Sequence, residues 1–80
     1  MPRYFFHLLH PDSDPVRDDE GILFEDDTAA KREGIISLGE LIQAATSSTP
    51  MPYCVSVQIV REGVGITDFL TARLSAEAQP

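Results

Sequence analysis

Hydrophobic spacing divides the chain into five elements. Arg3 to Leu9 is a run of aromatics and leucines, too short for a stable helix and cut off by Pro11, which predicts a β-strand. Alternation puts Tyr4, Phe6 and Leu8 on one of its faces and Phe5, His7 and Leu9 on the other. The turn formers Pro11 to Pro15 follow, then a short apolar piece, Ile22-Leu23-Phe24, after Gly21, predicted to return along the first strand. From Thr28 to Thr46 the period changes to that of a helix, with Ala30, Gly34, Leu38, Leu41 and Ala45 on one stripe flanked by Ile35 and Ile42. Asp27 is the expected N-cap, and Pro50 bars any continuation of the helix. Gly34 on the inner stripe predicts close approach of helix and sheet, whereas Ile36 points away from it.

Strict alternation returns between Tyr53 and Arg61, with Tyr53, Val55, Val57 and Ile59 on one parity and Cys54, Ser56, Gln58 and Val60 on the other. Glu62-Gly63 marks a turn, and Ile66 to Thr71 predicts a fourth strand. Ser75 to Pro80 carries no pattern and is expected to fray, leaving one domain over residues 1–74. The order β-β-α-β-β predicts an α+β fold, a four-stranded antiparallel sheet in the order 2-1-3-4 with one helix on one face.

One helix can cover only one face. Assigning Tyr4, Phe6 and Leu8 to the core beside Val55, Val57 and Ile59 leaves Phe5, His7, Leu9, Ser56, Gln58 and Val60 on the open side, which is apolar for a surface in water. These six residues are the candidate interface.

Eighty residues allow one small core, and 42% hydrophobic with 24% charged residues is the composition of a soluble globular chain. Thirteen acids against six bases give −7, and the bases are dispersed, which argues against nucleic acid and anionic membrane surfaces as partners. The lone Cys54 cannot form an intrachain disulfide, and the opening apolar run lacks the length and cleavage site of a signal peptide. A cytoplasmic setting is expected.

Little in the chain points to chemistry. Eight acids fall between Asp12 and Asp27, but an EF-hand loop starting at Asp12 would have Val16 and Arg17 where it needs an oxygen ligand and a glycine. The segment reads as a solvated acidic loop with helix-cap residues. His7 and His10 should point to opposite faces, and no His or Cys spacing matches a zinc site, so no metal is expected. No phosphate-binding glycine motif and no nucleophile signature is present, so neither cofactor nor enzymatic activity is expected. A small enzyme would have to use His7 as base with Tyr4, Gln58 or an acidic neighbour arranged in space.

The run MPRYFFHL, the acidic turn Asp18, Glu20, Gly21, Ile22 and Phe24 in the pattern D-x-E-G-I-x-F, and Asp27 before Ala29-Ala30 resemble a family of small uncharacterised bacterial domain-of-unknown-function proteins, common in soil and root-associated alphaproteobacteria. The Pro11–Pro15 loop departs from the glycine-containing turn of that pattern, and the helix has fewer arginines and alanines. The resemblance implies a fold and an origin and carries no activity. The functional expectation is therefore a non-catalytic module that binds a protein or a second copy of itself through the open sheet face. The alternative is an anionic decoy for a basic partner.

Overall fold

The computed structural model describes residues 1–45, 49 and 51–76. Four strands, β1 (Arg3–Leu9), β2 (Ile22–Leu23), β3 (Tyr53–Arg61) and β4 (Gly65–Leu74), form one antiparallel sheet in the order β2-β1-β3-β4. The single helix, α1 (Asp27–Gln43), packs on one face of this sheet, chiefly against β3 and β4. This is the predicted α+β architecture, and its topology follows from antiparallel neighbours joined without a further crossover.

The core is the layer between α1 and the sheet. Tyr4, Val55, Val57 and Ile59 from the strands meet Ala30 and Leu38 from the helix, with Phe6, Leu8, Phe24, Leu41, Ile42 and Leu70 packed around them. Phe24 sets its ring edge-on to both Tyr4 and Phe6, with centroids 6.0 and 5.8 Å away. Gly34 is where the layers come closest: a Cβ there would lie 2.9 Å from the terminal methyls of both Ile59 and Leu70.

Several boundaries differ from the sequence pattern. The N-cap is Asp26, whose Oδ1 accepts from the Ala29 amide at 2.8 Å. Asp27, the expected cap, is the first helical residue instead. Its Oδ1 accepts from the Tyr4 hydroxyl at 2.5 Å and from the Arg61 guanidinium at 3.1 Å, which ties the helix start to two strands. The bond from Tyr4 holds the Asp27 carboxyl below the ordinary aspartate range, with Arg61 adding to it. Burial first, and the Asp27 bond second, push the Tyr4 phenol up.

The helix ends at Gln43 with Ala44 as its C-cap, short of the expected Thr46, a residue that lies outside those described. Ile35 is 55% exposed, at the rim of the helix face that meets β4. Strand β2 stops at Leu23 because Phe24 turns into the core, and β4 extends past Thr71 to Leu74. Of the tail, only Ser75 and Ala76 lie among the described residues.

Candidate functional site: the open sheet face

The face away from α1 is built by strand alternation and register alone. In β1 and β3, Phe5 stands opposite Val60, His7 opposite Gln58, and Leu9 opposite Ser56. All six candidate residues thus share the uncovered face, and all are partly exposed. Strand β4 continues these rows with Ile66 beside Val60, Phe69 beside Gln58 and Thr71 beside Ser56. The Ser56 and Thr71 hydroxyls are 2.8 Å apart and hydrogen-bonded.

Ile66 and Phe69 are the apolar centre that the sequence pattern missed, at 63% and 57% exposure. They are three apart and by strict alternation would occupy opposite faces. The register shift between Ile59 and Val60 inserts one extra residue in β4, and this bulge brings both to the open side. Phe5, Val60, Ile66 and Phe69 then form an apolar band across three strands.

The Pro11–Glu20 segment does not hang in solvent. It runs back along the outer edge of β1, where Val16 and Leu8 exchange both backbone hydrogen bonds at 2.9 Å. Asp18 anchors the rest. Its Oδ2 accepts from the Phe6 amide at 3.1 Å, and its Oδ1 accepts from the Glu20 and Gly21 amides at 3.2 and 3.0 Å. The expectation of a wholly solvated acidic loop is therefore corrected: Asp18 replaces a missing strand partner for β1. An Asp three residues before a glycine was the available signal.

Burial pulls the Asp18 carboxyl up, but the Gly21, Phe6 and Glu20 amides and the nearby His7 outweigh it and hold the group below its ordinary value. A depressed carboxylate stabilises the fold above its unfolded pKa of 3.8 and loses that contribution as the pH falls through its lower folded value. Asp18→Asn should therefore cost on the order of 1–2 kcal/mol at neutral pH. It should also flatten the acid limb of a urea-midpoint profile, leaving the Asp27 part. A variant limb as steep as the wild-type one would refute this role.

His7 stacks on Phe5, with rings 6.5 Å apart and 6° from parallel, and its Nδ1 accepts the Asp18 amide at 3.1 Å. An Nδ1 that accepts a backbone N–H leaves the proton of the neutral ring on Nε2, so the free nitrogen is a donor and not a base. With Leu9, Pro15, Arg17 and Gln58, His7 lines a shallow depression of about 300 Å³ on the open face. His10 lies away from it, its Nε2 3.3 Å from the Tyr53 hydroxyl. Among the described residues, no three His, Cys, Asp or Glu are grouped to hold a metal ion, and no helix is long and apolar enough to cross a membrane. What the face offers is apolar area with hydrogen-bonding groups at its margin.

The family described as Domain of unknown function (DUF6894) matches residues 3–64, from β1 through the turn after β3. No curated protein and no solved structure matches the chain.

Proposed function

Since the chain belongs to the family described as Domain of unknown function (DUF6894), with the match covering more than half its length, we propose that it is a non-catalytic interaction module whose working surface is the open sheet face. The observation that carries this reading is the band of Phe5, Val60, Ile66 and Phe69 on the face away from α1, whose first two members are half-buried and whose last two are more than half exposed. A tyrosine, histidine and glutamine chemistry at His7 has less support, because the ring already spends its acceptor nitrogen on the Asp18 amide. The reading includes a bacterial, cytoplasmic setting, supported by the sequence resemblance and the single free thiol of Cys54.

An association through this face should survive high salt and be lost in Phe5→Ser and Leu9→Ser, with co-purification at low and high ionic strength as the measurement. Retention by both variants refutes it. An association that disappears at high salt regardless of these variants favours the decoy function of the acidic segment instead.

A further inference from the structure

The structure also indicates what adds to the free edge beside this surface. We propose that β4 takes a second copy of the chain in an antiparallel β4–β4 pairing about a two-fold axis at Thr71, which joins two open faces edge to edge in one eight-stranded sheet and leaves them exposed. This inference goes beyond the open-face reading: the pairing would present a face twice as wide to whatever that face binds.

The direction of the edge groups follows from the register. Leu8 sends both its backbone groups to Val16, so its pair with Val57 exchanges none, and Val57 must turn its own groups toward β4. Leu70, opposite Val57, then points back to β3, and alternation turns the N–H and C=O of Phe69, Thr71 and Arg73 outward. No described strand lies beyond β4 to take them. The segment Phe69–Leu74 contains no proline, no lysine and no bulge, the devices that normally protect such an edge.

Complementarity selects a second copy. With Thr71 opposite its own counterpart, Phe69 of each chain faces Arg73 of the other on the open face, an aromatic ring against a guanidinium, twice. On the covered face Leu70 meets Ala72. Those residues continue a groove of about 490 Å³ between α1 and β4, walled on the helix by Ile35, Leu38 and Ile42. The exposed Ile35 would be covered there.

Charge points the same way. Five of the thirteen acids, from Asp12 to Glu20, belong to the segment along β1, at the opposite edge of the sheet. Strand β4 carries one acid and one base, and that acid, Asp68, lies 3.9 Å from Lys31. Pairing through β4 keeps the two net negative charges far apart.

Light scattering from micromolar to near-millimolar concentration should give twice the chain mass for the wild type. Thr71→Pro should halve it with an unchanged circular dichroism spectrum, because the lost N–H faces outward and proline is tolerated at such a position. As a check that does not depend on that variant folding, Thr71→Cys in a Cys54→Ser background should oxidise to a disulfide-linked dimer. Ser13→Cys in the same background, on the far edge, should not. A wild type that stays monomeric, as it would if the edge took an extended segment of another protein, overturns the inference. So does Thr71→Cys oxidising no faster than Ser13→Cys. If Thr71→Pro remains dimeric and Phe5→Glu becomes monomeric, the edge pairing falls while the open-face reading stands. If the pairing holds but Phe5→Ser and Leu9→Ser leave every other association unchanged, the face reading falls instead.

Discussion

Ile59→Ala is expected to lower the unfolding free energy by about 2–5 kcal/mol, a large share of the roughly 4–12 kcal/mol that a chain of this size holds. Ile59 is fully buried in a strand with neighbours on both sides, and its methyl is the atom that meets the Gly34 position of the helix. Its removal opens a cavity that β1 and β4 prevent the strand from closing. The same geometry predicts a coupling. Gly34→Ala alone sets a new methyl 2.9 Å from Ile59 Cδ1 and Leu70 Cδ1, which offsets the roughly 1 kcal/mol gained in helix propensity. In the Ile59→Ala background the Ile59 contact is gone and the flexible end of Leu70 can turn into the vacated volume, so Gly34→Ala should stabilise. Urea unfolding of the four proteins measures this. Additive effects would show that the helix does not rest on Ile59.

Gly21→Ala is expected to cost about 2–4 kcal/mol, from two sources that can be separated. Gly21 has φ +72°, where an L side chain is strained by about 1–2 kcal/mol. A Cβ there would also lie 2.8 Å from the Tyr4 carbonyl oxygen and 2.9 Å from Arg3 Cγ. The Tyr4 backbone cannot yield, because it is held between β2 and β3. Gly63 has nearly the same conformation, φ +77°, with nothing within 4 Å of a Cβ. Gly63→Ala should thus show the conformational cost alone, and the difference between the two midpoints isolates the contact. Equal costs would mean that the close approach of Gly21 to β1 contributes nothing.

Local patterning was sufficient for the elements and their order. The seven-residue run of β1, the strict alternation of β3 and the helical stripe through Ala30, Gly34 and Leu38 are each set by the side-chain period of their own backbone, and all three are legible without neighbours. Because one helix covers one face, the same alternation placed Phe5, His7 and Leu9 on the open side. Tertiary structure decided whatever depends on a residue's partner across the sheet. Asp27 leaves the cap to Asp26 because Tyr4 and Arg61, distant in sequence, claim its carboxylate. Asp18 becomes a surrogate strand because β1 is longer than β2 and its Phe6 amide needs an acceptor. Ile66 and Phe69 join one face only through a bulge, and a bulge is a mismatch between two strands that neither strand's own spacing contains.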